Sequence, residues 1–278
     1  MLINWLHTFH PQAILLSFGP IHLYWYGLFI ILGILAALFI SLKLAPHYKL
    51  SKETVFDLSF WLIIFGLLGA RIYDIFLNLP YYFQYPLDAL KIWQGGLAIH
   101  GAIIAGLLVI YFFAKKQKKS FWTFTSLFAP GLALGQAIGR FGNYFNQELF
   151  GLPTNKPWGI PIDLINRPVD YITNQFFHPT FLYESLGCFL IFIVLMLFNY
   201  HLIKKNKLTK QYYQILLVGF YMISYSVLRF CLEFIKIDET PIFLTLRWPQ
   251  VISLLIILIS FILLILNHHE KKKQSCSK

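Results

Sequence analysis

Charge is scarce in this chain: only 13% of its 278 residues are Asp, Glu, Lys or Arg, and just twelve are acidic. Soluble domains carry about 25% charged residues, so this scarcity, with 58% hydrophobic and 18% aromatic residues and a mean hydropathy of +0.63, excludes that class. Cysteine is equally rare. Cys188 and Cys231 fall in apolar runs and Cys276 in the tail, so no disulfide is expected, and a lipid-buried cysteine reads as an inert small hydrophobe. Aspartates are scattered, at Asp74, Asp88, Asp163, Asp170 and Asp238 on one side of the membrane, and form no cluster suited to a metal-dependent phosphotransferase. No internal repeat is evident, which argues against an inverted-repeat transporter. No basic segment precedes the first apolar run, so that run is expected to be retained rather than cleaved as a signal peptide.

Long apolar runs are abundant. Seven of them, approximately 21–42, 54–77, 97–114, 121–139, 180–199, 211–232 and 248–267, suit a hydrocarbon core about 30 Å thick. Lipid offers the backbone no hydrogen-bond partners, so each is expected to be a helix. The fourth run is interrupted by Pro130 and carries Gly131, Gly135 and Gly139 at four-residue spacing, a pattern that favours close helix packing.

Orientation follows from the cations. Of 23 Lys and Arg residues, fifteen lie in 43–53, 115–119, 204–210 and 271–278, which marks those segments as cytoplasmic. The opposite segments carry six, and Arg71 and Arg229 lie inside spans. The expected fold is an all-α integral membrane protein with seven transmembrane helices, its N-terminus outside and its C-terminus cytoplasmic. It forms one polytopic domain over 1–278, with a small extracytoplasmic cap at 141–179 and a basic tail at 268–278. Segment 78–96, rich in Tyr, Phe and Trp, is expected to lie at the headgroups. The net charge of +11 suits anionic membrane lipids and does not point to nucleic acid.

With that orientation, the polar residues that do not belong in lipid gather near the outer helix ends. Tyr26 opens the first span, Arg71 and Asp74 close the second, and His100 stands just inside the third. The run GRFGNYFNQELFG, Gly139 to Gly151, puts Arg140, Asn143, Asn146 and Glu148 at the mouth of the fourth. His178, Tyr183 and Glu184 open the fifth, while Arg229 and Glu233, four apart on one face, close the sixth. Each has a bland reading: an aromatic belt for the tyrosines, mutual neutralisation for Arg71 with Asp74 and for Arg229 with Glu233, and a packing role for His100. A buried charge costs about 2.5 to 3.5 kcal/mol at a span centre, and one shared site explains several such groups together. Guanidinium groups at headgroup depth suit a phosphate ester, whose natural source there is a phospholipid.

These strings resemble the phosphatidylglycerol:prolipoprotein diacylglyceryl transferase family from end to end: WYG at Trp25–Gly27, GAR at Gly69–Arg71, GGLAIHG at Gly95–Gly101, GRFGNYFNQELFG, HPTFLYE at His178–Glu184 and RFCLE at Arg229–Glu233. The resemblance implies a seven-helix transferase of the bacterial cytoplasmic membrane, with its site facing the extracytoplasmic side. Such an enzyme moves diacylglyceryl from phosphatidylglycerol to the lipobox cysteine of a preprolipoprotein, forming a thioether and releasing glycerol phosphate, with no metal or cofactor. By motif, Tyr26, His100, Arg140 and Arg229 would be catalytic, and Asn143, Asn146, Glu148, Gly151 and Glu233 substrate-binding. His100 is the candidate base, since imidazoles exchange protons near neutral pH. Arg71, His178 and Glu184 read as architectural. Two positions depart from the pattern: Ala102 follows where a second glycine is usual, and Lys236 stands where an arginine is often found.

Overall fold

A computed structural model describes residues 6–19 and 21–276; it is 71% helical, and no barrel closes among the described residues. The helices are α1 (Trp25–Leu44), α2 (Lys52–Leu77), the short α3 (Leu79–Gln84), α4 (Ile99–Lys116), α5 (Phe121–Phe145), α6 (Thr180–Lys204), α7 (Gln211–Leu232) and α8 (Trp248–Cys276). Six of them, α1, α2, α4, α6, α7 and α8, are long and apolar enough to cross a membrane. The fourth expected span, α5, is not among these six. Its 25 residues reach about 37 Å, but Thr123, Thr125, Ser126, Gln136, Arg140 and Asn143 lower its hydropathy. Several helices outrun the expected ends, α6 to Lys204 and α8 to Cys276, because a helix satisfies its own backbone beyond the hydrocarbon. Residues 21–24 depart the other way: they form strand β2 (Ile21–Tyr24), paired with β1 (Ile14–Phe18).

Two compact units make up the chain, Met1–Ile40 with Phe128–Lys278, and Ser41–Leu127. In the first, α1 and α5 cross at small residues. A Cβ on Gly131 would meet the Ala37 carbonyl at 2.7 Å, and one on Gly135 the Gly33 carbonyl at 3.2 Å, so the four-residue glycine spacing does serve close approach. The third glycine, Gly139, has only an ordinary contact, 3.8 Å to Ile30. Between α5 and α6, β3 (Ile160–Pro161) pairs antiparallel with β4 (Phe176–Phe177). These strands roof a small core of Tyr144, Phe150, Ile160, Ile162, Phe177 and Phe181, so the segment expected to be a cap has its own packing. Strands β5 (Ile242–Phe243) and β6 (Leu246–Arg247) form a hairpin between α7 and α8.

In the second unit Ser51 caps α2, its hydroxyl accepting from the Thr54 N–H at 3.1 Å. Helices α2 and α4 touch at glycines: a Cβ on Gly101 would stand 2.1 Å from the Gly69 carbonyl, and one on Gly69 2.6 Å from the Gly101 carbonyl. Arg71, only 6% exposed, donates to five backbone carbonyls, those of Asp88, Ala89, Lys91, Gly95 and Gly96, and lies 3.7 Å from Asp74. This guanidinium fastens the 78–96 segment. Phe83, Leu87, Leu90 and Trp93 of that segment remain exposed. An apolar groove of about 530 Å³ runs between α2 and α4, lined by Trp61, Phe65, Leu108, Phe112 and Lys116. Apart from Lys116, its lining is apolar.

Candidate active site

The site grows from a carboxylate in the first turns of α6. Glu184 is 1% exposed, and a buried carboxylate is tolerated only with compensating charge and hydrogen bonds. Three cations and a hydroxyl supply them. Arg140 Nη2 of α5 lies 2.6 Å from Oε1, Arg229 Nη1 of α7 lies 3.7 Å from Oε2, Lys236 Nζ lies 3.3 Å from Oε2, and the Tyr225 hydroxyl donates to Oε1 at 3.3 Å. One side chain therefore fixes both expected arginines, each of which keeps about a fifth of its surface open.

Glu233, one turn beyond Arg229, lies 2.9 Å from Arg229 Nη2 and 3.3 Å from Arg247 Nε. Both its oxygens are buried, yet neither contact has hydrogen-bond geometry, so Glu233 holds Arg229 by charge rather than by directed bonds. Arg247 also donates to the carbonyls of Glu233, Lys236 and Asp238 and thereby folds that segment under the site. Four cations (Arg140, Arg229, Lys236, Arg247) thus stand within ion-pair distance of two carboxylates (Glu184, Glu233), with Glu148 tied to Arg140 through Asn143 and Asp238 acting on Lys236. Burial pushes the Lys236 ammonium below its usual range, opposed by the attraction of Glu184.

Arg140 is also tied to its own loop. Its Nη1 donates to Asn143 Oδ1 at 3.3 Å, Asn143 Nδ2 to Glu148 Oε1 at 2.8 Å, and Asn146 Nδ2 to the same oxygen at 3.4 Å. The chain turns back there through Gln147 and Leu149, at φ 51° and 55°, a region that non-glycine residues seldom occupy. Gln147 holds the turn, donating to the Pro11 carbonyl and Asp163 while accepting from the Asp163 N–H and Asn166. Tyr26 is packed on the same helix: a Cβ on Gly142 would meet its ring at 2.7 Å. Gly151 has a packing reason of its own, since a Cβ would stand within 2.9 Å of Ile235, His178 and Thr180. His178 Nδ1 lies 3.0 Å from the Tyr183 hydroxyl, which accepts from Trp158 Nε1 at 2.8 Å. Burial, aided by Lys156, lowers the His178 pKa.

Six sequence-derived site residues, Arg140, Asn143, Asn146, Glu148, Arg229 and Glu233, therefore form one continuous network. His100 is carried by the second unit, exposed on the first turn of α4, with its ring centroid 5.9 Å from that of Tyr73. In the sequence, Glu184 stands among the outer polar residues but reads as architectural, Lys236 is noted only as a departure from the family pattern, and Tyr225 and Arg247 are not singled out. A carboxylate within a span was the available signal for Glu184; nothing local distinguishes Tyr225 or Arg247. Among the described residues no group of three His, Cys, Asp or Glu is placed to hold a metal ion.

Residues 13–266 match the family described as Prolipoprotein diacylglyceryl transferase. The chain is 43% identical over 230 residues to a phosphatidylglycerol–prolipoprotein diacylglyceryl transferase of Synechococcus sp. (strain CC9902), covering 82% of this chain and 81% of that protein. To the protein of the same name from Nostoc sp. (strain PCC 7120 / SAG 25.82 / UTEX 2576) it is 42% identical over 245 residues, 88% of this chain and 85% of that one. A Thermosynechococcus vestitus (strain NIES-2133 / IAM M-273 / BP-1) relative of that name is 38% identical over 251 residues, 90% of each. With a family match over residues 13–266 and relatives about 40% identical over most of the chain, this protein belongs to the prolipoprotein diacylglyceryl transferase family.

Proposed function

We propose that this protein transfers the diacylglyceryl group of phosphatidylglycerol to the cysteine thiol of a prolipoprotein, the first step of lipoprotein maturation, at the Arg140–Glu184–Arg229 network. The carrying observation is that Glu184 joins the two guanidinium groups while each keeps about a fifth of its surface open. A phosphate diester fits such a pair of partly open guanidinium groups.

The reaction is an alkyl transfer. The sulfur of the acceptor cysteine attacks the glyceryl carbon that bears the phosphate, a C–S bond forms, and the C–O bond breaks with its electron pair leaving on glycerol phosphate. Arg140 and Arg229 receive the charge that builds on the departing phosphate, already aimed by Glu184 and Glu233. Removing one such donor costs about 2.7 to 4 kcal/mol in comparable sites, a hundredfold or more in rate. A free thiol, with an ordinary pKa of about 8.5, is mostly protonated near neutrality, so a base speeds the attack; His100 is that base, taking the thiol proton. Asn143, Asn146 and Glu148 hold the headgroup, and Tyr26 donates to a phosphate or glycerol oxygen. Gly151 keeps the substrate loop close to the helix behind it.

The acceptor is a lipobox cysteine presented at the membrane surface. Seven helices cross the cytoplasmic membrane, α5 included, with the cap and the network on the extracytoplasmic side and the lysine-rich loops inside. The polar face of α5 is tolerated because it turns inward to Glu184 and Tyr221.

Purified protein in phosphatidylglycerol vesicles is expected to add diacylglyceryl to a synthetic lipobox peptide, read as a mass increase on its cysteine. Absence of that product would refute the assignment. In the same assay Arg140→Lys keeps part of the turnover and Arg140→Ala loses a hundredfold or more. His100→Gln suppresses transfer near neutrality and recovers as pH rises and the thiol ionises by itself; an unchanged neutral rate would remove His100 as the base.

A further inference from the structure

Gln136 stands four residues before Arg140 on α5, on the same helical face and about 6 Å farther from the cap. Its Oε1 accepts from the Tyr221 hydroxyl of α7 at 3.0 Å. One turn along α7, Tyr225 donates to Glu184 at 3.3 Å, and the two tyrosine rings stack at an interplanar angle of 16°. Gln136 is thereby fixed just beneath the arginine layer. Its amide NH₂ meets no acceptor among the described residues, and the side chain is only half-buried.

Such a group is costly within a span. An amide donor at hydrocarbon depth has no water to bond, and membrane helices leave these groups unpaired only where something else supplies the partner. A phospholipid whose phosphate lies at Arg140 and Arg229 extends its glycerol backbone away from the headgroup side. The acceptors it then presents below the phosphate are the carbonyl oxygens of its acyl esters.

We propose that Gln136, held by Tyr221, donates its amide N–H to an ester carbonyl of the diacylglyceryl group and so makes the site selective for ester-linked over ether-linked lipid. This rests on the diacylglyceryl-transfer reading and names a second point of lipid recognition. The phosphate contact positions the leaving group; the Gln136 contact fixes the group being transferred. An ether oxygen accepts a hydrogen bond poorly, so the discrimination is that of one neutral hydrogen bond, about three- to tenfold.

The test uses the purified full chain in phosphatidylcholine vesicles containing either diacyl phosphatidylglycerol or its dialkyl ether analogue, with equal chain lengths and mole fractions. The rate of thioether formation on a lipobox peptide is read for each. Wild-type protein is expected to favour the diester about three- to tenfold. In Gln136→Met, which keeps volume and loses the donor, the ratio falls toward one, and in Tyr221→Phe, which frees the amide to swing, it falls part of the way. Equal use of both lipids by wild type, or a wild-type ratio in Gln136→Met, overturns the inference. If that variant does not fold, the wild-type ratio and the Tyr221→Phe ratio still decide it. If neither lipid is a donor for wild type, the transfer reading falls instead, which is a separate outcome.

Discussion

At the scale of the residue, the decisive side chain is Glu184, whose two oxygens hold Arg140, Lys236 and Tyr225 close and Arg229 at longer range. Removing its charge leaves three cations facing one another in a poorly solvated place. Breaking a buried ion pair from one side costs about 3 to 5 kcal/mol, much of it from the stranded partner. Glu184→Gln is therefore expected to cut transfer about a hundredfold or more and to lower the unfolding temperature in detergent, measured by turnover and by thermal denaturation of the same preparation. Wild-type turnover in Glu184→Gln would show that the arginines keep their places without it. The sequence displayed the arginines clearly, because a guanidinium beside a long apolar run needs explaining. It left Glu184 as one of several acids, because spacing along one helix says nothing about what faces it across the bundle.

At the scale of the element, glycines set how closely helices approach, and the motif strings carry several for that reason. Gly101, within GGLAIHG, has the Gly69 carbonyl 2.1 Å from where its Cβ would be, and the obstructing atom is backbone. Gly101→Ala is expected to destabilise by about 1 to 3 kcal/mol, the usual range for overpacking, seen as a lower midpoint of thermal unfolding. Gly139→Ala, with 3.8 Å of clearance, should be neutral or slightly stabilising, since alanine is the better helix former. The cap supplies a pH dependence. The folded-state pKa of His178 is depressed by burial and by Lys156, so on acidification the unfolded chain takes up its proton first. The neutral ring's contribution is fully present above about pH 6.5, the ordinary value, and is lost as pH falls through the lower folded-state value. Melting temperatures of wild type and His178→Gln between neutral and mildly acidic pH should converge on the acid side; parallel curves would contradict this.

At the scale of the whole molecule, the distribution of lysines predicts one topology. With the native cysteines replaced, single cysteines at Lys118 and Lys156 should react with an impermeant maleimide from opposite sides of the membrane, Lys118→Cys only in inverted vesicles and Lys156→Cys only in right-side-out ones. Labelling of both from one side would mean that α5 does not cross. Helix count was legible to within that one element. Its length fits a span, but its polar face belongs to the site, and hydropathy alone does not separate a functional helix from a surface one.

Composition and order along the chain determined by themselves that this is a helical membrane protein, where its apolar helices run and which strings hold polar groups that lipid would not tolerate alone. Lipid forces backbone satisfaction within each helix, and charge outside water must have a purpose, so both properties are written locally. Only the tertiary structure decided that Glu184 joins Arg140 to Arg229, that Lys236 and Arg247 add to the positive charge, and that Gln136 rests on Tyr221. Those pairings link residues separated by 44, 52 and 85 positions in three of these contacts. Their distances depend on how α5, α6 and α7 rotate against one another, and helix rotation is set by packing across the bundle rather than by any one helix's sequence.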